Sequence, residues 1–336
     1  MVRGSNFRAK SPAHALRSRG PYVGFLQSLD KTWQDLIRNS VASNTSKQYA
    51  SGQRKFLDFC NLIGAAPCPA SEVLLMRYVA SISNSVRGST VQSHLSAIRF
   101  LHIANGFPNP MESYERLKLM VRALKKRSGN IRQRAPVTVV MLEGIFRCLN
   151  FQLFNDSLLW AMIACSFFGF LRVSEFTTEG DFDPNFNLEL KDFSIERDLS
   201  FASLRIKSSK TDPFRKGCTI TLGAISDPKL CPVAAMIAYL RRRGLASGPL
   251  FRSSNGRPAS RSWFCRRLKE SIAIIGVTGD FTSHSLRIGA ATAAAAAGLS
   301  AETIQAMGRW SSDAFKIYIR RSDDSKKRVS QVLASA

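Results

Sequence analysis

Acidic residues are scarce in this chain. Only 24 Asp plus Glu stand against 48 Lys plus Arg, leaving a net charge of +24 over 336 residues. Self-repulsion on that scale opposes a compact fold unless a polyanion offsets it, so the expected partner is nucleic acid and not a small-molecule substrate. Histidine is scarcer still, at His14, His94, His102 and His284, with no pair at metal-ligand spacing. The seven cysteines form no CxxC pair. Zinc is therefore not expected, nor any cofactor, and scattered cysteines in odd number read as reduced thiols of a cytosolic or nuclear protein. Long apolar runs are missing too: even Ser157 to Leu171 is too short to cross a bilayer, so no spanning helix is expected, nor a membrane partner.

What the chain does have is 45% hydrophobic residues, enough for one large or two ordinary domains. Residues 1–39 begin with Arg3, Arg8, Lys10, Arg17 and Arg19 without an acid before Asp30, and read as a flexible basic arm. Residues 40–127 carry helical apolar spacing, as in Tyr49, Phe56, Phe59, Cys60 and Ile63 ahead of Gly64. This segment predicts a bundle of about four helices, with Lys47, Arg54, Arg87, Arg99, Lys118, Arg122, Lys125 and Lys126 available to follow a phosphate backbone. Residues 128–136 are polar, basic and closed by Pro136, and make the best linker in the chain. Residues 137–320 form the second domain and 321–336 a polar tail. The clusters Lys125-Lys126-Arg127 and Arg241-Arg242-Arg243 are open to reading as nuclear-import signals, solvated helix ends or phosphate contacts.

In the second domain a nearly all-apolar helix over Ser157 to Leu171 runs straight into Arg172, with Glu175 three residues on. A charged side chain at the rim of a buried helix needs a partner, either that carboxylate or an anion. From Leu188 to Leu222 the period changes to short alternating segments, a small sheet whose last two strands are joined by SSKTDPFRKG. The hairpin carries Lys207 and Lys210, and a hairpin lysine is ordinarily a solvated edge charge. Further helices, CPVAAMIAYLRRRG and the segment from Ser260, lead to FTSHSLRIGAATAAAAAGLSAETIQAMGRWSSDAFKIYIR. There Thr282 and Ser283 are N-cap candidates and Gly298 a stop, so His284 and Arg287 share one face of a helix start, a place that suits a phosphate. A short helix follows, with Ser300 as cap and Gly308 as stop; then come Arg309, Trp310 and Tyr318.

The ordered set Arg172, Lys210, His284, Arg287, Trp310 and Tyr318 resembles the signature of the tyrosine recombinases, the phage integrase family, over roughly residues 40 to 320. Ser209-Lys210-Thr211 matches the family's lysine hairpin, with Lys207 the reserve choice, and Arg172 with Glu175 matches its first arginine. The resemblance implies a mostly α fold: a helical-bundle core-binding domain, then a mainly helical catalytic domain with a small antiparallel β-sheet. It implies a DNA recombinase acting through a 3′-phosphotyrosyl intermediate, without metal or cofactor, as a homotetramer on two sites of double-stranded DNA. Tyr318 would be the nucleophile, Arg172 and Arg287 the phosphate clamps, Lys210 the acid for the leaving oxygen and His284 the acceptor or relay of the tyrosine proton. In the family pattern a His or Trp stands nine residues before the tyrosine. Here Arg309 has that spacing and Trp310 stands eight before, so either takes the role. The Gly-Arg-Trp and Tyr-Ile-Arg contexts resemble recombinases of eukaryotic mobile elements, the DIRS-like and Crypton groups, which would place the protein in the nucleus if eukaryotic and otherwise in the cytoplasm. The alternatives are a type IB topoisomerase-like nicking-closing enzyme and a DNA-binding protein descended from a recombinase but no longer catalytic.

Overall fold

The computed structural model describes residues 22–319 apart from 128, 130–132, 210, 211 and 213. Two compact units divide between residues 131 and 132. The first contains α1 (Val23–Arg38), α2 (Ser43–Leu62), α3 (Glu72–Ile82), α4 (Gly88–Ala104) and α5 (Glu115–Arg127). Ser71 starts α3, its Oγ accepting from the Leu74 N–H at 3.2 Å, which satisfies one of the donors every helix start leaves open. The carboxylate of Glu72 then serves a second helix, accepting from the backbone N–H of Arg116 at 3.0 Å, from that of Leu117 at 3.2 Å and from Arg116 Nε at 2.8 Å. Phe56, Cys60, Leu75, Tyr78, Ile98 and Leu117 form the core between the helices. Two histidines belong to it: His94 Nδ1 lies 2.8 Å from Tyr78 Oη, and His102 Nε2 accepts from the Ala70 N–H at 2.9 Å.

The flexible arm expected over residues 1–39 is corrected from residue 22 onward, where the chain is helical in α1. The signal is in the sequence, since Tyr22, Phe25, Leu26, Leu29, Trp33 and Leu36 recur at helical spacing. Residues 1–21 and the tail 321–336 lie outside the described residues.

The second unit opens with α6 (Val139–Cys148) and α7 (Phe154–Phe168). Every residue from Asp156 to Phe167 is buried, which is why this helix is apolar all round instead of striped; truncating one of its large side chains to Ala would cost about 2–5 kcal/mol. The helix α8 (Val173–Phe176) follows, then β1 (Phe193–Ile195), β2 (Phe201–Ile206) and β3 (Cys218–Gly223) in an antiparallel sheet of that order. Phe193 pairs with Leu204 and Leu204 with Ile220, while Ala202, Leu204 and Ile206 turn one face of the central strand into the core. Next come α9 (Pro232–Arg243), α10 (Arg261–Ile274), α11 (His284–Ala296), α12 (Ala301–Gly308) and a 3-10 turn over Asp313–Ile317. α7 is the hub, packed by both α9 and α11.

Arg243, the last of the Arg241 cluster, is not a surface charge. It is 3% exposed, and its guanidinium donates to the carbonyls of Gly244, Ala246, Gly248, Pro249 and Leu250. A loop wound around one guanidinium satisfies its donors and closes off this residue as a signal or phosphate contact.

Candidate active site

The site begins where α7 stops. Gly169 caps the helix, and Phe170 then takes a left-handed backbone, φ +50, a conformation costly for a bulky residue and usually held by its surroundings. Its carbonyl accepts from Arg287 Nη1 and, at 3.2 Å, from Arg309 Nη2. Its ring packs edge-on against Trp310, centroids 6.3 Å apart. Two residues later Arg172 sits at the mouth of α8, its side chain 14% exposed.

Glu175 holds two arginines at once. Its carboxylate is 0% exposed and accepts from Arg172 Nη1 at 3.0 Å on one oxygen, and from the Arg172 N–H at 2.9 Å and Arg309 Nη2 at 2.8 Å on the other. Arg287, 1% exposed, completes the cluster, donating to the carbonyls of Phe170 and Gly308 with its Cζ 4.2 Å from the centre of the Trp310 ring. Three guanidiniums against one carboxylate leave two uncompensated positive charges. Burial, then the neighbouring Arg172 and Arg309, pull the Arg287 pKa down to about 9, so an anion between them would relieve a real electrostatic cost. Among the described residues Nε of Arg287 and Nε of Arg309 are buried without an acceptor, a donor set suited to phosphate oxygens.

His284 and Tyr318 meet on the other side of Trp310. His284 Nε2 lies 2.8 Å from Tyr318 Oη. Thr282, not Ser283, caps the helix that presents His284, its Oγ1 accepting from the His284 N–H at 3.2 Å; Ser283 makes no side-chain cap bond. Tyr318 follows the 3-10 turn and is held through its backbone, its N–H donating to Phe315 O at 2.8 Å and its carbonyl accepting from Thr292 Oγ1 at 3.1 Å. The Tyr318 and Trp310 ring centroids are 5.3 Å apart. Trp310 thus touches both the tyrosine and the buried arginine.

The Gly308-Arg309-Trp310 turn explains its own residues. Gly308 ends α12, but the left-handed position after it belongs to Arg309, φ +54. Glycine is required at 308 for another reason: a Cβ there would lie 1.6 Å from the Trp310 ring. Arg309 and Trp310, between which the sequence left one role open, make different contacts. Arg309 pairs with Glu175 and donates to Gly169 O at 3.2 Å, and Trp310 packs.

The lysines separate as well. Lys207 is locked away, its Nζ 2.8 Å from Glu189 Oε2, 2.7 Å from Asp192 Oδ2 and 2.7 Å from Pro184 O. Burial alone would lower its pKa, but these two carboxylates raise it. Lys210 lies outside the described residues. Its neighbour Ser209 is within the site, Oγ accepting from Arg172 Nη1 at 2.9 Å. Ser209, Asp212, Gly217, Cys218, Arg309 and Trp310 are among the residues lining a cleft of about 360 Å³. The structure thus brings together Arg172, His284, Arg287, Trp310 and Tyr318. Arg309, already singled out by its nine-residue spacing, joins them, as does Ser209 of the Ser209-Lys210-Thr211 motif; the Phe170 carbonyl gave no sequence signal.

This architecture, a helical unit followed by a mainly helical unit with a three-stranded sheet, is that of the integrases. It matches XerH site-specific recombinase bound to palindromic difH substrate with a TM-score of 0.64, at 15% identity over 91% of this chain and 84% of that one. A lambda integrase dimer bound to a COC′ core site gives 0.60, at 15% identity over 88% of this chain and 95% of the other. The Tn1549 transposon integrase in complex with transposon right end DNA gives 0.57, at 16% identity over 90% and 98%. In sequence the chain is 27% identical over 296 residues to an integrase/recombinase xerD homolog of Selenomonas ruminantium, covering 82% of this chain and 81% of the relative. No family profile matches. In fold the chain is similar to tyrosine recombinases and integrases, and in sequence to an integrase/recombinase.

Proposed function

We propose that this protein is a site-specific DNA recombinase that breaks and rejoins duplex DNA through a covalent bond between Tyr318 and a 3′-phosphate. The observation that carries the reading is the phenol of Tyr318, 2.8 Å from His284 Nε2, with Trp310 joining it to an arginine cluster of net positive charge. Tyr318 Oη attacks phosphorus, its proton passing to or through His284, and the bond to the 5′-oxygen breaks. Arg172 and Arg287 hold the non-bridging oxygens, with Arg309 behind them, and stabilise the charge that builds up on the pentacoordinate phosphorus. Lys210 gives the leaving 5′-oxygen its proton. Bond energy is retained in the phosphotyrosyl ester, so the reverse attack by a 5′-hydroxyl from a second duplex rejoins the strand with neither ATP nor a metal.

Exchange between two duplexes needs four nicking subunits. A lambda integrase tetramer bound to a Holliday junction has this fold at a TM-score of 0.54, in line with a homotetramer on two sites. The likeness to a transposon integrase supports a mobile-element origin, and the Gly308-Arg309-Trp310 motif favours the DIRS-like and Crypton groups, with action in the nucleus if the host is eukaryotic and in the cytoplasm otherwise.

The test uses a duplex selected from a random-sequence pool by binding to the protein, nicked near the cleavage point so that the cut fragment diffuses away. Denaturing electrophoresis in EDTA should show a protein–DNA adduct that proteinase converts to a small tyrosyl-peptide remnant. Absence of the adduct overturns the reading, and an adduct enzyme that relaxes supercoils but yields no recombinant product is a topoisomerase.

A further inference from the structure

The loop between β2 and β3 is tied to two different parts of its unit, and only one of them is the active site. That tie is made by Ser209, whose Oγ accepts from Arg172 Nη1 at 2.9 Å. The other is made by Arg215, which lays its guanidinium on the ring of Phe186, Cζ 4.4 Å from the centroid. Arg215 takes a left-handed backbone there, φ +54, a conformation that costs energy in any residue with a Cβ and persists only where the surroundings hold it. Two contacts do so: the Arg215 N–H donates to Asp212 O at 3.3 Å, and the stack on Phe186 fixes the side chain.

Both sides of that stack are braced. The Asp212 carboxylate accepts from the N–H groups of Lys216 at 3.1 Å and Gly217 at 2.7 Å, and the Asp212 N–H donates to Ser209 O at 3.0 Å. Phe186 belongs to a closed turn: its N–H donates to Asp183 O at 3.0 Å, the Asn187 N–H to the same oxygen at 2.8 Å, and the Asp183 N–H to Asn187 Oδ1 at 2.9 Å. A stiff turn thus grips a closed loop through one cation–π contact. In the sequence, Lys210 and Thr211 are all that joins Ser209 to Asp212, and two residues between fixed ends have little slack.

We infer that Phe186 and Arg215 are positioning residues for proton delivery to the leaving 5′-oxygen. The inference rests on the recombinase reading above, in which the bond from phosphorus to that oxygen breaks with its electron pair on the oxygen and the Lys210 ammonium gives a proton to it. Neither Phe186 nor Arg215 handles the proton or the phosphate. Their stack biases the loop toward one arrangement, and losing it lets the lysine spend less time where the proton is needed.

The experiment uses the full chain in single-turnover cleavage of two nicked duplexes. One has the ordinary 5′-bridging oxygen at the cleavage point, and the other has sulfur there, which departs as thiolate without a proton. Phe186→Leu keeps apolar bulk but removes the ring face, and Arg215→Ala removes the cation. Each should cleave the oxygen duplex about two- to fivefold more slowly than the parent and the sulfur duplex at the parental rate. The double variant should be no slower than either single one, because the two residues make one contact. Phe186→Tyr restores a ring face and should cleave both duplexes as the parent does. Phe186 is 38% exposed, so thermal melting should find all these variants folded, with Tm close to that of the parent. Equal slowing on both duplexes overturns the inference, since a packing defect or a lost DNA contact acts on either leaving group. Parental rates on the oxygen duplex in both single variants overturn it, as does additive slowing in the double variant. Weaker, less salt-dependent DNA binding in Arg215→Ala alone would make Arg215 a phosphate contact and also overturn it. If the parent forms no adduct on either duplex, the recombinase reading falls and this inference with it; once the parent forms one, every other outcome bears on the stack alone.

Discussion

Nε2 of His284 lies 2.8 Å from the phenol oxygen of Tyr318, thirty-four residues further along the chain. That contact is intact without DNA, so on the proposed mechanism Tyr318 meets its proton acceptor before substrate arrives, and little geometry has to be assembled during the reaction.

Tyr318→Phe should therefore abolish the covalent adduct and leave DNA affinity within about threefold, because the ring contacts with Trp310 and His284 persist and only the nucleophilic oxygen is lost. Gel shift and suicide-substrate cleavage on the same duplex check this. Tyr239 is no substitute: it is 0% exposed, and its hydroxyl is taken by the carbonyls of Leu250 and Arg252. An adduct surviving in Tyr318→Phe would refute the assignment.

Arg309 and Trp310 should separate under mutation. Arg309→Ala removes a donor from Glu175 and a positive charge from the cluster, and should slow single-turnover cleavage by about 10²–10³. Trp310→Ala empties a core position that is 9% exposed and should cost about 3–5 kcal/mol of stability. Single-turnover rates and urea melts on both variants distinguish a site lesion from a packing lesion.

Gly308→Ala should be as damaging as a large core truncation, although it adds a single methyl. The Cβ would sit 1.6 Å from the Trp310 ring, so the ring must leave its place over Arg287. A fall in Tm together with reduced cleavage is expected, and neutral behaviour would contradict the packing described here.

The two hairpin lysines should give opposite phenotypes. Lys210→Ala should block cleavage of an ordinary phosphodiester but spare a substrate whose 5′-bridging oxygen is replaced by sulfur, a leaving group that needs no proton. Lys207→Met should spare the chemistry and lower stability by about 3 kcal/mol, since the buried Asp192 loses its Lys207 partner and Glu189 keeps only the exposed Lys191. The acid side carries a further signature. Hydrogen bonds from Lys191 and Lys207 hold the Glu189 pKa below its ordinary value, so the stability this gives is present above the unfolded pKa and lost as pH falls through the folded one. The Lys207 variant should show a smaller loss over that acidic window in pH-dependent urea melts.

Residue spacing made much of this legible. The apolar helix over Asp156–Phe167, the three strands and the His-x-x-Arg helix start could be read because each has a strong periodic or capping signal. The meeting of Arg172 with Arg309 could not, since it depends on one carboxylate, Glu175, reaching a partner 134 residues away in sequence. Phe170 was hidden for the opposite reason: nothing in its side chain advertises a left-handed backbone, a conformation that glycine usually supplies. In α1 the basic residues upstream outweigh, in composition, a helical stripe that is present in the spacing.

On entering the second unit the chain is tied to α11 at once. The Ala135 N–H donates to Asp280 O at 3.1 Å and the Val137 N–H to Ser285 O at 3.0 Å, and Gly289 is so close beneath that a Cβ there would fall 1.8 Å from Val137 O. Backbone lies on backbone with no side chain between to absorb a shift. A tug on residues 135–137 is therefore delivered, undamped, to the turn of helix that carries His284 and Arg287, giving these two side chains a common mechanical handle.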